Sequence, residues 1–123
     1  MDPLVAALNS HIDHITNLDM KHAEALQVQN YGIASYNSAH YDFFRTPGDP
    51  NAKVIDASKG DRIATYLLYM TDVEAGGATI FPVLNLTLFP EKGSAAFWWN
   101  LHCDGSGDVR TLHEACPVLY SNK

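Results

Sequence analysis

Gly76-Gly77-Ala78-Thr79-Ile80-Phe81-Pro82-Val83-Leu84-Asn85-Leu86-Thr87-Leu88-Phe89-Pro90-Glu91-Lys92-Gly93-Ser94-Ala95-Ala96-Phe97-Trp98-Trp99-Asn100 is the stretch that decides the architecture. Ala78 to Phe81, Leu86 to Phe89 and Ser94 to Asn100 read as short extended runs, divided by the turn chemistry of Gly76-Gly77 and Pro90-Glu91-Lys92-Gly93. The same punctuation recurs on both sides. Leu26 to Tyr31, Ala39 to Phe44, Ile63 to Thr71 and Thr111 to Tyr120 are further extended runs, and Pro47-Gly48-Asp49-Pro50, Lys59-Gly60-Asp61 and Asp104-Gly105-Ser106-Gly107 separate them. Ahead of the strands, Asp2 can cap and Pro3 can open a helix whose Leu4, Val5, Leu8, Ile12 and Ile15 recur at helical spacing, with His11 and His14 on its wetter side. A second short helix, about Asp19 to Ala25, follows the Thr16-Asn17 break. Helices over about 3–25 followed by strands over about 26–123 predict a mainly β fold, an antiparallel sandwich or barrel with its helices outside one sheet. The polar stretch Arg45 to Gly60 reads as a loop, placed where a lid over a substrate would also sit.

A chain of 123 residues makes one domain at most, large enough to bury a core without staples. With 8 basic and 14 acidic residues its formal net charge is −6, which disfavours nucleic acid or an anionic membrane as partner. No segment reaches membrane-spanning length, and Met1 to Leu8 lacks the basic region and the apolar length of a signal peptide, so the sequence as written carries no address. Cys103 and Cys116 are compatible with a bridge, free thiols or a metal. A zinc site from His102, Cys103, His113 and Cys116 would lack a C-x-x-C pair. Asn85-Leu86-Thr87 matches a glycosylation acceptor, a pattern common by chance.

The chemistry centres on His40-Tyr41-Asp42 and, much later, His113. Side chains at i and i+2 leave an extended strand on the same face, so His40 and Asp42 can grip one ion, and a second strand must bring in His113. Two imidazoles and one carboxylate are the protein half of an open Fe(II) site, with three of about six octahedral positions left for small ligands. Lys123 supplies a cation ten residues beyond His113 that could hold an acidic cosubstrate. On its own the H-x-D pair is weak, because a hydrogen-bonded or surface histidine is the commoner state.

Six blocks in order carry a wider resemblance: Leu26 to Gly32, His40-Tyr41-Asp42-Phe43, Arg62-Ile63-Ala64-Thr65 running to Tyr69-Met70, Gly76 to Pro82, Lys92-Gly93 to Phe97-Trp98, and His113 to Lys123. The chain resembles the catalytic domain of the collagen-type prolyl 4-hydroxylase alpha subunit, within the Fe(II)/2-oxoglutarate dioxygenases, from about Thr16 onward. The resemblance implies a double-stranded β-helix, or jelly-roll barrel. It implies His40, Asp42 and His113 as iron ligands, and Tyr31, Thr79 and Lys123 as contacts to the distal carboxylate of 2-oxoglutarate. Strand alternation places Thr65 and Tyr69 on one face, where they can line the same pocket. Arg62 matches an arginine that the family uses toward peptide. The implied reaction couples decarboxylation of 2-oxoglutarate to succinate and CO2, using O2, with hydroxylation of a prolyl ring. L-ascorbate as iron reductant, a disulfide-isomerase-like partner subunit and the endoplasmic reticulum lumen follow from the same resemblance.

The sequence departs from the family in two places. Gly-Gly and Tyr-x-Pro usually precede the first ligand, whereas Ala34-Ser35-Tyr36-Asn37-Ser38-Ala39 stands here, and Asn37 replaces an aromatic that would stack on the peptide proline. Family members also continue past the lysine with a strand, an aromatic and a cysteine that pairs with the one matching Cys116. The expectation is therefore a barrel without its last strand, with Lys123 carrying a carboxylate beside its ammonium. The alternative to an active prolyl hydroxylase is a remnant that keeps the fold and the metal without turnover. Hypoxia-type prolyl hydroxylases resemble this branch but use arginine where Lys123 stands.

Overall fold

The computed structural model of the chain describes residues 2–44 and 60–120. Helix α1, Pro3–Thr16, begins where the sequence predicts: the Asp2 carboxylate accepts the Leu4 N–H at 2.8 Å, and Pro3 needs no amide partner in the first turn. It ends at Asn17, whose φ of 57° is the left-handed conformation that closes a helix. Of the expected apolar stripe only Ile12 is buried, while Leu4 and Ile15 are exposed. His11 and His14 are exposed, as their positions predict. The second helix shrinks to one 3-10 turn, Met20–His22, capped by the Asp19 carboxylate on the Lys21 N–H.

Eight strands follow: β1 Asn37–His40, β2 Ala64–Leu68, β3 Ala75–Gly76, β4 Thr79–Phe81, β5 Leu86–Leu88, β6 Ala95–Trp99, β7 His113–Ala115 and β8 Val118–Tyr120. They form a four-stranded sheet in the order β1-β7-β4-β5 and two-stranded sheets β2-β6 and β3-β8, with every pairing antiparallel. The sheets are those of a mainly β fold, but the described strands do not close into one continuous barrel.

Three expected strands are corrected. Leu26 to Tyr31 pairs with no described strand and is irregular, because β-prone composition makes a strand only where a partner edge is supplied. The run from Ala39 ends at His40, where the chain bends so that Phe43 enters the interior. Thr111 to Tyr120 splits into a 3-10 turn and two strands, broken at Cys116-Pro117, since Pro117 has no N–H to continue a ladder. The Arg45 to Gly60 loop falls on residues 45–59, outside those described.

The interior lies between β2-β6 and the larger sheet. Strand alternation turns Thr65 and Trp98 inward as a cross-strand pair. Phe81 on β4 and His113 on β7 meet Trp98 edge-on, with ring centroids at 5.2 and 5.0 Å. Tyr66, Phe97 and Trp99 take the opposite face, where Phe97 and Trp99 are partly exposed. Val118 is fully buried, held by backbone bonds to Ala34 and Ser35.

Candidate metal centre

Pairing of β1 with β7 sets His40 directly opposite His113, so a long sequence separation becomes one cross-strand contact with ring centroids 4.4 Å apart. Asp42 arrives differently from the strand argument. It lies in the bend beyond β1, and its Oδ1 comes within 3.5 Å of His40 Nε2 and 3.7 Å of His113 Nε2. One ligand atom from each of the three lies within 4.8 Å of the others, and among the described residues they are the only such group of metal-ligating side chains. The zinc alternative is not assembled: Cys103 and Cys116 are free thiols.

The hydrogen bonds around the three residues suit a metal. His40 Nδ1 lies 2.7 Å from the Ser38 carbonyl and His113 Nδ1 lies 2.8 Å from the Thr111 carbonyl, each two residues back along its own chain. A carbonyl can only accept, so each Nδ1 carries a proton, and each Nε2, turned toward Asp42, is the atom that binds a metal once it has lost its own proton. Asp42 Oδ2 accepts from Thr65 Oγ1 at 2.6 Å, which leaves Oδ1 for the shared point. Two imidazoles whose Nε2 atoms face one oriented carboxylate fit Fe(II), and His40, Asp42 and His113 would hold it. Aromatic packing behind His113, from Phe81 at 5.3 Å and Trp98, limits its movement.

Electrostatics differ across the three. The hydrogen bond to Asp42 holds the His40 pKa above its ordinary 6.5 despite partial burial. Burial pushes His113 below 6.5, against the opposing pull of the Thr111 carbonyl and the Asp42 charge. Burial acts to raise Asp42, but the hydrogen bonds from His40 and Thr65 outweigh it and hold the carboxyl below the usual carboxylate range. A proton on His40 Nε2 therefore competes with metal at higher pH than for an ordinary histidine. Mn(II) affinity should rise steadily between about pH 6 and 8, with release of a proton on binding, as a titration in two buffers of different ionisation enthalpy would read. A flat profile over that interval would contradict this assignment.

The other sequence-predicted residues divide into two groups. Tyr69 and Thr79 meet: the Tyr69 hydroxyl donates to Thr79 Oγ1 at 2.9 Å, and both residues are buried. Thr65 is brought to Asp42 instead. Tyr31 lies in the irregular segment, with its hydroxyl donating to Gln29 Oε1 at 2.8 Å. Arg62 grips Glu24 through Nε at 2.5 Å and Nη2 at 2.9 Å, and stacks over Phe44 at 4.7 Å. Lys123 lies outside the described residues. Sequence reasoning missed Asn100, Trp98 and Phe81. The only signal for Asn100 was an amide closing the aromatic run Phe97-Trp98-Trp99, which reads equally as a strand terminator.

Two imidazoles facing each other across antiparallel strands, with one carboxylate from the adjoining bend, are the donor set of the non-haem Fe(II) oxygenases. The family model described as the 2OG-Fe(II) oxygenase superfamily matches residues 26–123, and the chain belongs to that family. It is 51% identical over 122 residues to prolyl 4-hydroxylase subunit alpha-2 of Gallus gallus and 48% identical over 122 residues to subunit alpha-1 of Homo sapiens, covering 99% of this chain in each case. It is 45% identical to subunit alpha-2 of Caenorhabditis elegans over all 123 residues. The chain spans 22% of the length of these relatives. Among solved structures it resembles a truncated form of the viral collagen prolyl hydroxylase vCPH of Paramecium Bursaria Chlorella virus-1, with a TM-score of 0.75 and 25% identity over 98% of this chain and 65% of that one. The 2OG complex of the same viral enzyme aligns at a TM-score of 0.71 with 24% identity, over 94% of this chain and 65% of that one. These likenesses give the fold as jelly-roll type.

Proposed function

We propose that this chain is the catalytic segment of a 2-oxoglutarate- and Fe(II)-dependent hydroxylase acting at C4 of peptidyl proline, in collagen-like sequences. The observation that carries the reading is the convergence of His40, Asp42 and His113, with both Nε2 atoms turned toward one carboxylate oxygen, in a chain about half identical to prolyl 4-hydroxylase alpha subunits along nearly its whole length. When bound, Fe(II) with 2-oxoglutarate and O2 supplies the oxidising power for hydroxylation, yielding succinate and CO2.

The protein's part is placement. His40 and His113, fixed by their carbonyl partners, and Asp42, fixed by Thr65, present three donors toward one point, so the remaining positions of an ion held there would fall to small ligands. Hydroxyls of Tyr31 and Thr79, with the Lys123 ammonium, would hold the distal carboxylate of 2-oxoglutarate, and the bond from Tyr69 orients Thr79 for that task. Arg62, held by Glu24 beside Asp42, would meet the peptide. L-ascorbate, a disulfide-isomerase-like subunit and the endoplasmic reticulum lumen belong to the same reading and rest on family resemblance.

The test is turnover by the purified protein with Fe(II), 2-oxoglutarate and a proline-rich peptide. The expected outcome is a peptide heavier by one oxygen atom, with one succinate formed per hydroxyl. Metal binding without either product would support a non-catalytic remnant instead.

A further inference from the structure

Asn100 closes β6 with no solvent exposure, among the most completely buried side chains of the described fold. Its backbone is pinned on both sides: its N–H donates to the Ile63 carbonyl, and its carbonyl accepts from the Asp108 N–H, each at 2.8 Å. Its side chain is only half used. Nδ2 donates to Thr65 Oγ1 at 2.9 Å, while Oδ1 is buried without a hydrogen-bond partner among the described residues. An apolar side chain of similar size would avoid that unpaired oxygen, so stability alone does not explain an amide here.

The Nδ2 bond has a consequence two side chains away. A threonine hydroxyl has one proton and rotates to suit its surroundings. Because Oγ1 accepts from Asn100, its own hydrogen is directed away from the amide and onto Asp42 Oδ2, at 2.6 Å. Chained hydrogen bonds of this kind polarise one another. With Oδ2 occupied, Asp42 offers Oδ1 alone to the point that it shares with the two Nε2 atoms.

We propose that Asn100 is a positioning residue for the metal centre, which acts through Thr65 to keep Asp42 presenting a single oxygen and so preserves the open positions of the site. The inference rests on reading His40, Asp42 and His113 as metal ligands.

Its test reads Mn(II) alone, by the dissociation constant and the electron paramagnetic resonance spectrum of the bound ion, without turnover. Thr65→Val, which keeps the shape and removes the hydroxyl, should weaken Mn(II) binding at least about tenfold and alter the spectrum, whereas Thr65→Ser should remain near the unaltered protein. Asn100→Leu should also weaken binding, by several-fold on the order of the lower end of that range. In a Thr65→Val background the same Asn100→Leu change should add nothing further, because its route to Asp42 is already cut. A purely structural role would instead lower the unfolding midpoint of Asn100→Leu and leave the bound-ion spectrum unchanged, which would overturn the proposal. So would an undiminished effect of Asn100→Leu in the double variant. Should Asn100→Leu not fold, the Thr65 pair decides, and Mn(II) affinity unchanged in Thr65→Val overturns the inference alone. Absence of Mn(II) binding by the unaltered protein would overturn the metal-site reading and this inference together.

Discussion

Asp42→Ala is expected to weaken Fe(II) and Mn(II) binding by more than about 100-fold, since loss of a ligand exceeds the 10- to 100-fold typical of its outer partners, and to abolish succinate formation. Asp42 is the better probe of the triad because it stands outside the aromatic packing that surrounds His113. It lies in a bend beyond β1, and its carboxylate contacts His40, His113 and Thr65. His113, by contrast, is buried among Phe81, Trp98 and His40, so its removal would open a cavity as well as a coordination position. Asp42→Ala should therefore separate the two effects better than a His113 change: metal affinity collapses, while the loss of stability at neutral pH is confined to the hydrogen bonds and charge interactions of one carboxylate. The pH dependence has a sign. A carboxyl held below its ordinary range in the folded state contributes stability above its unfolded pKa and loses it as pH falls through the folded one. The variant should lack that acid-side loss. Retention of near-normal metal affinity by a folded Asp42→Ala protein would remove the basis for calling these three residues a metal centre.

What could be read before the structure was known follows the range of the interactions involved. β2, β4, β5 and β6 lie inside the runs marked out by Gly and Pro punctuation, because turn chemistry is local and acts over a few residues. Leu26 to Tyr31 failed for the opposite reason: a strand is a pairing, and no described strand presents it with an edge. The site divides in the same way. His40 and Asp42 stand close in sequence and could be connected directly, although the route is a bend where an extended strand was expected. His113 could be named as the third ligand on a second strand, but spacing along the chain does not reveal that this strand, β7, pairs with β1 at His40. Asn100 was invisible, because its link to Thr65 depends on the β2-β6 register and reaches diagonally across that pair.

The largest expected change in stability comes from Gly76→Ala. Gly76-Gly77 reads as a turn, yet Gly76 is a strand residue of β3, facing Val118 of β8 with a φ of 80°. Two costs fall together. Alanine at that φ is strained, and its Cβ would run into the Pro117 carbonyl oxygen while standing 2.8 Å from the Leu119 backbone nitrogen. Both obstacles are backbone atoms of the β8 segment, so no side-chain rotation can relieve the overlap. The segment itself has little freedom: the Gly77 N–H donates to the Pro117 carbonyl at 3.0 Å, the Cys116 N–H donates to Ala78, and fully buried Val118 is tied to Ala34 and Ser35. Moving β8 aside would break these bonds and expose Val118. The sum should reach about 3 kcal/mol or more, enough to leave much of a marginally stable domain unfolded. Urea denaturation followed by far-ultraviolet circular dichroism would measure it. Because β7 and β8 are separated only by Cys116-Pro117, distortion of β8 should also reach His113, so a surviving folded fraction should bind Mn(II) more weakly than the unaltered protein. A Gly76→Ala protein with an unchanged urea midpoint would show that β3 and β8 do not make the close backbone approach on which this argument depends.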